Sequence, residues 1–323
     1  MRRREWPLLA ATLLAACQRP GTAPGPTPAA QVPRPTSPLE QAKAALAAGD
    51  ADGALAKLEQ ATPDADTLYW QGMAWMKKAE TAPLPTPAPL TSPLPKGAEP
   101  PAAPEFKPEE LKAIEAFEQS LSARSEQLPA NMALAQLLAP HALRRYEGDA
   151  ARRPRTAGRR TVANEPAAGG PDFSPDRVIR AYKAALQADP KAKPPAEELA
   201  RFAQRIGRLD VAELALQELC RRDQERPDPF IRYGDFLVND KKAPEAAIEQ
   251  YQQALVWAPG DEATRAKIAD IYIAMGIGHW KAQEYALAEA RLQQAQKFVT
   301  DRNSPQGLKI QDYMNKLGTI RRR

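Results

Sequence analysis

Three segments, RVIRAYKAALQADP (177–190), VAELALQELCRRDQ (211–224) and EAAIEQYQQALVWAP (245–259), carry one pattern. In each, a small or apolar residue is followed four positions on by a large one, and three further by a small or apolar one. The large residues are Tyr182, Leu216 and Tyr251, and the third positions are Ala185, Leu219 and Ala254; both sets are spaced by 34 and then 35 residues. Pro190 and Pro259 follow two of these segments, where a residue that cannot continue a helix ends one. A second helical pattern precedes two of the segments and recurs a third time: Leu199-Ala200-x-x-Ala203, Tyr233-Gly234-x-x-Leu237 and Ile268-Ala269-x-x-Tyr272. A fixed period of this length marks a repeat architecture, in which each unit buries its apolar face only by stacking on its neighbours.

The physics of a helical hairpin asks for these residue types. Small residues at Ala200 and Gly234 let two helices approach closely, and the aromatic or leucine side chain fills the space beside them. The pattern resembles the tetratricopeptide repeat, in which L-G-x-x-Y, A-x-x-x-F-x-x-A and a closing Pro recur with a period of 34. The resemblance implies an all-α solenoid of helical hairpins.

The register runs backwards through the chain. Gln41-Ala42-x-x-Ala45 with Ala54-x-x-x-Leu58-x-x-Ala61 makes a first repeat. Gly72-x-x-Trp75 pairs with Ala113-x-x-x-Phe117-x-x-Ser120, and Leu134-Ala135-x-x-Leu138 pairs with the segment of Val178 and Tyr182. Six repeats are expected at about 36–62, 65–127, 129–190, 193–226, 228–259 and 262–300, closed by a helix over about 304–320, all within a domain spanning 39–323. Two long insertions fall between the helices of the second and third repeats, at about 82–108 and 147–173. A third, of seven residues, is expected at the turn of the last repeat within GIGHWKAQEY (276–285).

Composition agrees with an all-helical chain. Ala and Leu dominate, aromatics are 6%, and alternating β-type runs are scarce. The 33 prolines are clustered, which points to linkers rather than to the repeats. The formal net charge of +5 falls to +3 once residues 1–16, with Arg2, Arg3, Arg4 and Glu5, are removed, which gives no case for a nucleic-acid partner.

That removal is expected from the amino terminus. Three arginines precede an apolar run from Trp6 to Ala16, too short for a membrane-spanning helix and suited to a signal peptide (1–16). Leu14-Ala15-Ala16-Cys17 resembles the lipobox of bacterial lipoproteins. The resemblance implies cleavage before Cys17, attachment of acyl chains (diacylglyceryl and palmitate type) to that cysteine, and anchoring by several chains. A plain signal peptide or an uncleaved anchor is the alternative. Gln18 in place of Asp implies the outer membrane, periplasmic face. Residues 17–38 then form a lipidated cysteine and a Pro-rich tether, whose 18–38 stretch reaches roughly 65 Å at ~3.1 Å per residue if extended.

The chemistry-bearing residues are few. Only Cys220 remains as a free thiol, which excludes an intramolecular disulfide in the mature chain, and it reads as a small packing residue rather than a reactive group beside Arg221 and Arg222. His141 and His279 stand in separate repeats, no nucleophile, metal or phosphate motif is present, and no enzyme, cofactor or metal is expected. The Pro-rich insert reads as a solvated spacer. The segment RRYEGDAARRPRTAGRR (144–160) holds seven arginines against Glu147 and Asp149 and is expected as a loop, either solvated or in contact with an anionic surface.

Tetratricopeptide resemblance implies a concave groove lined by first helices. Carried over by register, its partner-binding residues are Tyr69, Met73 and Met76, then Met132 and Gln136, then Arg201 and Arg205, then Asp235 and Asn239, and finally Asp270. The first part is apolar and Met-rich, suited to an adaptable contact. The later part is charged with mixed sign. The expectation is a membrane-anchored interaction scaffold of the bacterial envelope, similar in plan to repeat-containing pilotins or barrel-assembly lipoproteins. The alternative is a regulator that tethers a cell-wall (peptidoglycan) enzyme.

Overall fold

The computed structural model describes residues 37–83, 106–152 and 172–321. The expected signal peptide, Cys17, most of the tether and the middles of both long insertions lie outside the described residues. Thirteen α-helices and no strand are found among the described residues. In order they are α1 (Pro38–Ala47), α2 (Ala51–Leu58), α3 (Ala65–Thr81), α4 (Pro108–Ala123), α5 (Leu128–Arg152), α6 (Pro175–Ala188), α7 (Pro194–Arg205), α8 (Leu209–Arg222), α9 (Pro227–Asn239), α10 (Pro244–Trp257), α11 (Glu262–Lys281), α12 (Tyr285–Gln296) and α13 (Pro305–Arg321).

The helices start where the sequence offers caps. Ser37, Asp50, Asp64, Ser174 and Asp261 each accept a backbone N–H of the first turn. Proline opens seven of the thirteen, where its missing N–H has no helical partner to lose.

Consecutive helices pack as six hairpins, α1 with α2 through α11 with α12, and α13 lies against α11 and α12. Small residues set the approach distance. A Cβ on Gly234 would stand 2.6 Å from the Tyr251 ring, and a Cβ on Gly276 would stand 2.9 Å from Leu292. Gly72 faces Phe117 in the same way. Tyr182, Tyr251, Phe117, Leu58 and Leu292, one on each of five of the six second helices, are almost fully buried. One apolar core runs from α4 to α11, and smaller ones lie at each end. Trp75 packs against both the first core and the central one, and Tyr272 against both the central core and the last.

The short hairpin turns share one geometry. Gly49, Gly207, Lys242 and Gln283 all have positive φ, and each stands five residues before the small residue of its second helix, Ala54, Ala212, Ala247 or Ala288. Three of the turns close with the same bond, from Asp50 N–H to Ala45 O, Arg208 N–H to Ala203 O and Glu284 N–H to His279 O. This is the Schellman arrangement, which needs a left-handed residue after the helix. In the α9–α10 turn one extra residue is taken up, and Ala243 N–H reaches Leu237 O.

That shared turn corrects the expected register of the last repeat. Gly276, not Ala269, faces Leu292, and Gly276 stands the usual twelve residues before Ala288. The seven extra residues therefore lie at the start of α11 and not at its turn. Seven residues are almost two helical turns, so the apolar face returns to nearly the same side, and α11 extends to 20 residues without a break. Its front half, with Ile268 and Ile271, completes the central core, while Ile273 belongs to the last one.

A second correction concerns the Arg-rich segment. Residues 144–152 continue α5 as helix, so the expected loop begins later. Pro140, inside α5, removes one hydrogen bond to the Gln136 carbonyl; both residues are exposed.

Two glycines of α11 give a paired test. Gly276→Ala should cost about 1–3 kcal/mol by overpacking against Leu292. Gly278→Ala, with nothing within 4 Å, should gain about 0.5–1 kcal/mol from helix propensity. Urea unfolding of the two variants measures both signs.

Candidate functional site

First helices of successive hairpins approach one another, α1 to α3, α3 to α5 and α5 to α7, while no two second helices pack together to a comparable extent. The first helices α1, α3, α5 and α7 therefore lie on the inner side of the curve, and ion pairs carry the series on to α9 and α11. All ten expected groove residues stand on them: Tyr69, Met73 and Met76 on α3, Met132 and Gln136 on α5, Arg201 and Arg205 on α7, Asp235 and Asn239 on α9, and Asp270 on α11.

The N-terminal members are half-buried. Tyr69, Met73, Met76 and Met132 pack against the central core and keep part of their surface outside it. Tyr69 meets Trp70 edge-on at 5.3 Å and lies 6.0 Å from Phe117, so its ring is held by two neighbours. Gln136 is exposed.

The C-terminal members are tied to each other. Arg205 donates to Glu147 of α5 at 2.8 Å. Glu197 on α7 meets Arg201 at 3.4 Å and Arg232 of α9 at 3.3 Å. Asp235 receives Lys267 of α11 at 2.6 Å and the Tyr251 hydroxyl at 2.7 Å. One polar contact thus joins each first helix to the next from α5 to α11. Each exposed pair is worth only about 0–1 kcal/mol, so the ladder sets alignment more than stability. Tyr251 is held protonated far into the alkaline range, first by burial and then by its bond to the Asp235 carboxylate.

Between α7 and α9 this ladder rims a hollow of about 270 Å³. Its floor is apolar, with Ala200, Leu216, Leu219 and Phe236, and its rim carries Arg201, Arg232, Asp235 and Asn239. Asp270 is exposed, and the corrected register of α11 places Ile277, not Asp270, at the position equivalent to Asp235. Sequence reasoning did not place Glu147 and Arg232 on this face. Glu147 was hidden because it sits in an arginine-rich stretch that reads as loop.

The remaining candidates have structural surroundings. Burial pushes the Cys220 thiol up to about 12, so it stays protonated and unreactive. The Arg222 side chain is 3% exposed and donates to the carbonyls of Leu186, Asp189 and Ala192 at and just beyond the end of α6. Both Arg221 and Arg222 bind Glu218; Arg221 foremost holds that carboxyl down at about 2. His279 pairs with Glu284 in the last hairpin turn at 2.6 Å. Among the described residues no group of three His, Cys, Asp or Glu side chains is placed to hold a metal ion, and no helix is long and apolar enough to cross a membrane.

Two measurements check these environments. Cys220 should react with a thiol reagent at least a hundredfold more slowly in the native chain than in denaturant. Glu218, with its carboxyl lowered from 4.5 to about 2, contributes stability present above pH 4.5 and lost as pH falls toward 2. Glu218→Gln should flatten that part of the acid-unfolding curve.

No family model and no curated protein matches the sequence. Solved structures do. The C-terminal part of a TPR repeat-containing protein from Cytophaga hutchinsonii is 9% identical over 84% of this chain and 86% of its own, with a TM-score of 0.44. A thermophilic TPR protein of Thermus thermophilus is 17% identical, covers 72% and 96%, and has a TM-score of 0.35. MamA from Desulfovibrio magneticus RS-1 is 14% identical, covers 68% and 92%, and has a TM-score of 0.39. The repeat type itself rests on the chain's own packing, with small residue against large, shared turn and period: the fold is an α-solenoid of six tetratricopeptide-type hairpins.

Proposed function

We propose that the chain is a protein-binding scaffold whose partner lies along the first-helix face, anchored at the bacterial envelope through Cys17. The observation that carries the groove reading is the division of that face. From α7 onward its charges are satisfied mainly by one another, while on α3 and α5 Tyr69, Met73, Met76 and Met132 keep apolar surface outside the core. A charged partner would have to break the ladder; an apolar segment meets flexible thioethers that adapt to it. The hollow between α7 and α9 is then wide enough to take one large apolar side chain from the same partner. Anchoring is supported by the lipobox-like Leu14-Ala15-Ala16-Cys17 and by the Pro-rich stretch after it. An assembly role in the envelope and the tethering of a cell-wall enzyme both use this face. The Arg-rich stretch beyond α5 supports an anionic-surface contact as a secondary role.

In the cells that produce the protein, a photocrosslinker at position 76 should join one partner, and Met73→Glu with Met132→Glu should cut that yield at least tenfold. An assembly subunit as the partner supports the scaffold role and a peptidoglycan enzyme the tethering role. Links that persist in the double variant would overturn the groove reading. Separately, Cys17→Ala should move the protein from the detergent phase to the aqueous phase, and retention in detergent would overturn the lipid anchor.

A further inference from the structure

Both long insertions interrupt their hairpins at the same edge, and the structure joins the points where they return. Phe106 is the first described residue after the first gap, and Phe173 is the second after the other. Their rings stack face to face, 4.0 Å apart and within 4° of parallel. The His141 ring of α5 lies 4.8 Å from Phe106 and 5.3 Å from Phe173. Phe173 is 3% exposed and His141 6%.

Each return point is also fastened to its own hairpin. Glu110 accepts the Lys107 N–H at 2.9 Å and stands 3.4 Å from His141 Nε2. Lys107 Nζ reaches the Ala79 carbonyl near the end of α3, so both ends of the first insertion are tied. On the other side Asp172 accepts Ser174 N–H at 2.8 Å, and Arg177 bridges from the Asp172 carbonyl to Glu118 of α4. Neither phenylalanine occupies a position of the repeat, though Phe173 belongs to the central core and Phe106 packs against it. An aromatic pair of this kind adds about 0.5–1.5 kcal/mol beyond its area, and here it acts between two segments some 67 residues apart in sequence.

We infer that the roots of the two insertions are mechanically coupled, clasped at Phe106, Phe173 and His141, so that displacing one root loosens the other. The coupling is independent of what the groove binds.

Amide hydrogen exchange of the full chain tests this. Phe106→Ala should speed exchange at Arg177 and Val178, at the root of the other insertion, by tenfold or more, with amides of α9 and α10 unchanged. Acceleration confined to Glu110 and Leu111 would overturn the coupling. If Phe106→Ala instead speeds exchange throughout the chain, Phe106→Leu, which keeps apolar volume and loses the stack, decides: at least threefold acceleration at Arg177 and Val178 supports the clasp, and less overturns it.

Discussion

Close approach of two helices at a residue without a side chain, or with only a methyl, is the constraint on which the solenoid depends. Gly72 against Phe117, Gly234 against Tyr251 and Gly276 against Leu292 leave no room for a Cβ. Once the helices are that close, the large residue of the second helix is buried from all sides and the small ones flanking it, Ala113, Ala247, Ala254 and Ala288, are buried too. Interiors packed to this density tolerate little change in volume, which is why the same residue sizes recur with the period. Stacking then follows, since no single hairpin can cover its own apolar face.

Sequence made the hairpins legible because their signal lies in residue size at fixed spacing. It left the turns illegible at Lys242 and Gln283. Those residues adopt the left-handed conformation that Gly49 and Gly207 adopt freely, at roughly 1–2 kcal/mol each for an L-residue, and nothing in their side chains announces it. The register of α11 was misread for a related reason. Ala269 and Gly276 are both small and seven apart, nearly two full turns, so both lie on the same face. Only the position of the turn, fixed by Gln283 and the bond from Glu284 to His279, selects Gly276. The Phe106–Phe173 clasp carried no local pattern, because stacking between two insertions is a contact of distant segments.

The residues expected in the groove fall on the first helices, because register alone decides which helix they occupy. Their pairing did not follow from register, since Arg205 with Glu147 and Arg232 with Glu197 join neighbouring repeats rather than positions within one. On the proposed reading, a face whose charges satisfy each other discriminates against a highly charged ligand, because binding one requires breaking pairs whose replacement gains little. Apolar surface on α3 and α5 carries no such penalty.

The most direct test of the close-approach account is a methyl- and glycine-resolved NMR measurement on the intact protein. Strong nuclear Overhauser contacts are expected from the Gly276 α-protons to the Leu292 methyls, and from the Gly234 α-protons to the Tyr251 ring. Contacts from the Ala269 methyl to Leu292 in their place would contradict the register of the last hairpin, and with it the rule that a glycine's missing side chain sets the helix spacing.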